Sequence, residues 1–336
     1  MKQTPHLAIT LGDPCGIGPE LLLKILPVVT KKWQVTVYGT PAGLSILPAC
    51  GLKYEFHNNK LLFNSMEIAW VDPLSGISPG ELRLGSPCPQ SGKCAVEAVK
   101  SAALDILSGK ADALLTLPLS KAAAHMAGYD IPGHTELLQK LTASQRVQMA
   151  FVSPSLKVVL HSVHQSLRSV IEGLNAEAVA DTLIFTAQQF ASLLEKSHIK
   201  VALCALNPHA GERGAFGDEE RLLEESIKIA RNFFDASNPV APPDIIQPTF
   251  SGPHPADTIF LRALRSDFDV VVALYHDQGL IPMKLLEPEQ AVNLTLGLPF
   301  IRTSPDHGTA FDIAGKWIAN PNNTLAASEL ALSLLR

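Results

Sequence analysis

Short runs of apolar, β-prone residues alternate with longer stretches of helical period along the whole chain. That alternation specifies an α/β protein, because parallel strands buried on both faces read as continuous apolar runs and need helical crossovers to join them. The opening run HLAIT leads through LGDPCGIGPE into the helical stretch ELLLKILPVV, with Pro19 suited to a first helical turn. VTVYGT, a helix started by Pro and Gly, and EIAWVDP follow. Ser91 to Gly128 then reads as helix, strand (ALLTLP) and helix (LSKAAAHMAG), as in a βαβ unit. The segment YDIPGH, residues 129–134, breaks the helical period and predicts a domain crossing.

Beyond that break, MAFVS and LKVVLHSV read as a strand pair, followed by the long helix AEAVADTLIFTAQQFASLLEKS. The strand IKVALCAL, the loop NPHAGERGAFGDEE and the helix EERLLEESIKIARNFF complete that block. The final third reads as strand DIIQPTF, loop SGPHPAD, helix TIFLRALR, strand FDVVVALY, loop HDQG, extended VNLTLGLPFIRTS, loop PDHG and helix TAFDIAGK. A last helix, LAASELALSLLR, is expected to pack back on the first domain. With 336 residues and 46% hydrophobic content, two domains are expected: 1–130 plus about 303–336, and about 131–302.

Only 18% of residues are charged and the net charge is -5, so no basic field exists to track a nucleic-acid backbone. The longest apolar runs, such as Val270 to Tyr275, have strand length and fall well short of the ~20 residues that span a bilayer. The apolar stretch near Met1 is also shorter than the roughly 7–15 residues of a signal-peptide core, so a soluble cytoplasmic protein is expected. Cys15, Cys50, Cys88, Cys94 and Cys204 form no CxxC or metal-finger spacing and read as free thiols. Cys15 lies in a glycine-rich loop without a flanking base, which argues against a nucleophile.

Ligands of α/β sheets sit beyond the carboxyl ends of the strands, which directs attention to residues just past each apolar run. His164, His209 and His276 each follow such a run, and His134 opens the second block. A single strand-end histidine is ordinarily a hydrogen-bonding residue, but three suit a borderline divalent ion with a position left for substrate. Their spacing is irregular and proves no metal motif. Gly12, Asp13, Gly16 and Gly18 read equally as a ligand cradle ahead of a helix or as a tight turn stiffened by Pro14 and Pro19. The loop is neither GxGxxG nor Walker A, and Asp13 would repel phosphate. Lys121, Lys284 and Arg302 supply positive charge beyond apolar runs, with solvated surface charge as their bland alternative. Thr135 and Asn293 would add neutral hydrogen bonds, and Asp257 reads as a helix cap or a proton-transfer carboxylate.

Together TLGDPCGIGPE, PGHTELL, LNPHAGERGAFGDEE, GPHPADTIF, YHDQGLIPMK and VNLTLGLPFIRTSPDHGTAFDIAG resemble the 4-hydroxythreonine-4-phosphate dehydrogenase family, in order from about residue 7 to residue 316. The resemblance implies an isocitrate/isopropylmalate dehydrogenase-like fold: two α/β/α domains, a cleft between them, and a homodimer with a shared active site. It implies His164, His209 and His276 as ligands of one divalent ion (Zn, Mg or Co), drawn from both subunits. His134, Thr135, Lys284, Asn293 and Arg302 are implied as contacts to a phosphorylated substrate. NAD, with NADP as an alternative, would bind loops that include Gly12, Asp13, Gly16 and Gly18. The implied reaction, in pyridoxal phosphate biosynthesis, oxidises C3 of 4-phosphooxy-L-threonine and loses CO2 to give 3-amino-2-oxopropyl phosphate. Asp257 and Lys121 are the candidates for taking the hydroxyl proton. Cys15 and His254 stand where the family pattern has Ala and Leu, and related enzymes oxidise D-threonate or D-erythronate 4-phosphate. A metal hydrolase and a non-catalytic metabolite-binding protein are the readings from other classes.

Overall fold

The computed structural model describes residues 4–49, 51–235 and 246–335. Cys50, read from sequence as a free thiol, lies outside them, whereas Cys15, Cys88, Cys94 and Cys204 are free. In chain order the elements are β1 (His6–Thr10), α1 (Gly18–Val29), β2 (Gln34–Tyr38), α2 (Ala42–Ser45), β3 (Tyr54–His57), β4 (Lys60–Phe63), β5 (Met66–Val71), α3 (Pro89–Leu107), β6 (Ala113–Thr116), α4 (Lys121–Met126) and α5 (His134–Thr142). There follow β7 (Gln148–Val152), β8 (Lys157–Leu160), α6 (Leu167–Gly173), α7 (Ala176–Leu194), β9 (His198–Cys204), α8 (Glu220–Phe233), β10 (Gln247–His254), α9 (Ala256–Leu264), β11 (Val270–Ala273) and α10 (His276–Leu286). The chain closes with β12 (Val292–Leu296), β13 (Ile301–Pro305) and α11 (Asn322–Leu334).

The chain divides into two units, Met1–Val147 with Glu289–Arg336, and Gln148–Pro288. The first division falls later in the chain than residue 130 because α5 stays with the first unit: Leu137 and Leu138 are buried in a cluster with Val96, Val99 and Ala103 of α3. The second falls earlier than residue 302, because β12 pairs antiparallel with β13, which pairs parallel with β6 of the first unit.

In the first unit the strands run β12-β13-β6-β1-β2-β5-β4-β3. β13, β6, β1, β2 and β5 are mutually parallel, and β1, β6 and β2 bury continuous runs rich in Leu, Ile, Val and Ala, as two covered faces require. One face packs α1 and α11, placing Leu22, Ile25, Leu26, Ala327 and Ala331 in the same core as Ile9 and Val37. The closing helix thus packs in the first unit, as the sequence led one to expect. In the second unit the order is β10-β9-β11-β8-β7, with β7 and β8 forming the expected antiparallel pair. The long helix α7 buries Val179, Leu183, Ala187 and Phe190 in the apolar interior of that unit. Among the described residues no helix is long and apolar enough to cross a membrane.

Three local expectations differ. HDQG is the first turn of α10, opened by His276 at its first position, and is not a loop. SGPH continues β10 as far as His254. TAFDIAGK forms turns instead of a helix, with Ala310 and Gly315 at positive φ (42° and 76°), which interrupts helical geometry.

Candidate active site

The first unit places Arg302, His134 and Lys121 close enough for their charges to interact, with Glu136 as the opposing acid. Arg302, on β13, is the largest fully buried side chain, at 2% exposure. Its guanidinium donates to Thr116 Oγ1 from Nε (3.1 Å) and Nη2 (2.6 Å), and to Thr295 Oγ1 from Nη1 (3.0 Å). Hydroxyl oxygens compensate a buried cation poorly, so burial pushes Arg302 down to about 9, with the charge of Glu136 opposing. His134 opens α5, and its Nε2 is sealed from solvent without a hydrogen-bond partner. Desolvation, reinforced by the positive charges of Arg302 and Lys121, holds the His134 imidazole well below its ordinary pKa, so the ring is neutral at physiological pH.

Lys121 is the first residue of α4, whose N-cap Ser120 accepts from the amide of Ala123. Gly133 brings Lys121 and Glu136 together: a side-chain carbon there would lie 3.7 Å from Lys121 Cε and 3.2 Å from Glu136 Oε2. Asn293 shares a face of β12 with Thr295, and its Oδ1 is another sealed, unpartnered atom. Thr135 is buried in the first turn of α5. The structure therefore associates Lys121, His134, Arg302 and Glu136. The hydroxyls of Thr116 and Thr295, and Glu136 itself, were not singled out from the sequence. The positions facing Arg302 across the strands become apparent only once strand register is known.

The glycine loop is packed as a tight turn. Gly12 is at φ +70° with its α-carbon against the carbonyl oxygen of Pro118, where an added carbon would stand 2.3 Å away. Added carbons at Gly16 and Gly18 would stand 2.7 Å from Thr309 O and 2.1 Å from Leu11 O. Residues 11–20 are all buried, and Glu20 accepts from the amides of Trp317 and Ala319 at the start of α1. Asp13 turns inward, accepting from Cys15 N (2.9 Å) and Ser91 Oγ (3.1 Å), while burial raises its pKa to about 6. At Gly12, Gly16 and Gly18 the chain's own backbone occupies the space the glycines leave. Burial and the neighbouring Asp13 carboxylate push the Cys15 thiol up to about 12, which leaves it a weak nucleophile.

In the second unit His164 and His276 stand just past β8 and at the start of α10, with ring centroids 6.0 Å apart and planes tilted by 39°. Two imidazoles each bound through one nitrogen at about 2.1 Å would have centroids on the order of 5–6 Å apart, so this pair fits a shared cation. Asp277 Oδ1 lies 2.7 Å from His276 Nδ1; a proton on Nδ1 shared with that carboxylate leaves Nε2 as the free lone pair. His209 does not join them within one chain, and among the described residues no three His, Cys, Asp or Glu side chains converge on a metal position. It sits instead in a run of left-handed backbone, His209 to Arg213, with φ between 42° and 74° at all five residues. Such backbone costs roughly 1–2 kcal/mol per non-glycine residue and persists where surrounding bonds impose it.

Lys284 is exposed on α10. Asp257 is exposed in the first turn of α9, where Pro255 occupies the N-cap position, so Asp257 is not the cap. His254 is engaged by Ser251 Oγ (3.0 Å) and Arg262 Nη1 (3.3 Å) and packs on Phe268, and burial lowers its pKa. That ring is a packing and hydrogen-bonding residue of β10.

Residues 43–331 match the model of the family described as pyridoxal phosphate biosynthetic protein PdxA. The chain is 39% identical to 4-hydroxythreonine-4-phosphate dehydrogenase of Desulfosudis oleivorans, over 99% of this chain and 96% of that one. It is also 39% identical to D-threonate 4-phosphate dehydrogenase of Pectobacterium atrosepticum, over 98% of each chain. The crystal structure of 4-hydroxythreonine-4-phosphate dehydrogenase from Klebsiella pneumoniae superposes with a TM-score of 0.81 at 35% identity, covering 99% of this chain and all (100%) of that one. With a family model matching residues 43–331 and similarity along the full length, the chain belongs to the pyridoxal phosphate biosynthetic protein PdxA family.

Proposed function

We propose that this protein is a divalent-metal-dependent, NAD-linked dehydrogenase that oxidises C3 of 4-phosphooxy-L-threonine, the product then losing CO2 to give 3-amino-2-oxopropyl phosphate. The observation that carries the reading is the buried Arg302, held by two threonine hydroxyls beside the neutral His134, with one acid, Glu136, as its opposing charge. A buried guanidinium without a hydrogen-bonded carboxylate is built to receive an anion, which the substrate phosphate provides. His134 stays neutral beside two cations and offers hydrogen bonding without adding charge repulsion. Asn293 Oδ1 waits for a donor, and Thr135 lies in the first turn of α5, where free amides favour an anion.

His164 and His276 would hold the divalent ion (Zn, Mg or Co), with His209 completing the set from the second subunit, and Lys284 would add a positive contact. When bound, the metal supplies polarisation of the reacting oxygen and NAD, or NADP, takes up the hydride. Lys121, exposed and beside Gly133, is the first candidate to take the hydroxyl proton, with Asp257 the second. A homodimer is supported by α10, which exposes Ile281 (58%), Leu285 (78%) and Leu286 (45%) next to Lys284.

Purified wild type and Arg302→Met would be assayed for NADH formation with 4-phosphooxy-L-threonine, D-threonate 4-phosphate, D-erythronate 4-phosphate and the unphosphorylated parent of the best substrate. Wild type is expected to prefer 4-phosphooxy-L-threonine. The variant is expected to raise KM for it by about 10–100-fold, the worth of a charge-assisted contact. Preference for D-threonate 4-phosphate would assign the protein to the activity of its second relative. An equal KM change with the unphosphorylated compound would remove phosphate recognition by Arg302.

A further inference from the structure

We infer that Glu220 is the positioning residue for His209: its carboxylate imposes the left-handed turn from which that imidazole is presented. The inference rests on the reading of His209 as a metal ligand. Glu220 is the first residue of α8 and is 6% exposed. An acid there ordinarily serves the amides of its own helix, but α8 has no side-chain cap bond. Both oxygens reach back to the preceding loop instead. Oε1 accepts from the amides of Leu206 (3.1 Å) and Asn207 (2.7 Å), and Oε2 from Asn207 Nδ2 (2.9 Å). Three donors satisfy the buried carboxylate and fix the two residues that lead into Pro208 and His209.

The same carboxylate shapes the turn itself. Gly211, at φ +74°, has its α-carbon so close to Glu220 Oε2 that an added carbon would stand 2.6 Å away. The loop closes over it through Phe216 N donating to Gly211 O (3.1 Å), with Asn207 Nδ2 shared with Glu219 Oε2 (2.7 Å). His209 lies in this frame at φ 52°, left-handed backbone of a kind that persists where surrounding bonds impose it. Glu220 therefore acts through the backbone and touches neither substrate nor metal.

The test compares wild type with Glu220→Ala, Glu220→Gln and His209→Ala, all full length and stripped by chelation. Cobalt(II) is titrated calorimetrically, and amide hydrogen exchange is followed over 206–213. Glu220→Ala is expected to weaken cobalt binding by about 10–100-fold, the usual effect of losing an outer partner of a ligand. Faster exchange at Leu206 and Asn207 should accompany it. Glu220→Gln keeps an acceptor for the two amides but places a donor against Asn207 Nδ2, so it is expected to recover part of the affinity, and it serves alone should the alanine variant not fold. Cobalt affinity within twofold of wild type in the folded Glu220 variants, with His209→Ala impaired, would overturn the inference. Unchanged affinity in His209→Ala would instead overturn the reading of that histidine as a ligand, and unchanged exchange would overturn the clamp itself.

Discussion

Asp13 shows how a residue that resembles a ligand contact can owe its place to folding. Its carboxyl is fully buried, and its pKa of about 6 stands above the ordinary 3.8 because burial outweighs the bonds from Cys15 N and Ser91 Oγ. A folded-state pKa above the unfolded one means that the native state holds the proton more tightly. The stability this proton contributes is complete below about pH 3.8 and is lost as pH rises through about 6. Above that pH the native state carries a buried anion at a cost on the order of 2–3 kcal/mol. Asp13→Asn keeps an acceptor for Cys15 N and removes the charge. It is expected to raise Tm at pH 8, with the gain shrinking below pH 6 and vanishing near pH 4. A gain of constant size from pH 4 to 8 in calorimetric scans would show that Asp13 does not titrate in this range.

The parallel strands were legible because continuous runs such as VVVALY have few other uses in a chain of this composition. The antiparallel β3 and β4 were not, although Asn58–Asn59 and Asn64–Ser65, all at positive φ, carry the tight-hairpin signal that could have found them. His164 and His276 come into one neighbourhood because they follow the adjacent parallel strands β8 and β11. The partners of Arg302 on β6 and β12, and the reach of Glu220 back to Asn207, depend on register and loop path, which residue types do not encode locally. The tight packing of the glycine loop was not legible either, because glycine serves approach by any backbone, including the protein's own. Gly18→Ala, with its added carbon 2.1 Å from Leu11 O, is expected to destabilise by about 3 kcal/mol or more. Gly109→Ala, at φ +78° with open space around it, should lose only about 1–2 kcal/mol. Urea midpoints that reversed this order would mean that close packing does not set the role of the loop.

For the whole molecule, the proposed activity divides its requirements between the units. The first supplies a buried cation and a neutral imidazole for an anion, and the second supplies paired imidazoles for a metal. On the proposed reading a second copy would supply His209, because it does not join the other two histidines within one chain among the described residues. If α10 forms the contact between copies, Leu285→Glu should shift sedimentation from dimer to monomer and lower turnover in parallel. A variant that remained dimeric would place the interface elsewhere.

Metal-dependent oxidation is tested most directly by NADH formation in chelator-stripped protein on 4-phosphooxy-L-threonine, with Zn, Mg or Co added back to wild type and to His276→Ala. The account predicts no turnover without metal, recovery in wild type, and failure of His276→Ala to recover at the same metal concentration. Full activity in the presence of chelator, or recovery of His276→Ala equal to wild type, would contradict it.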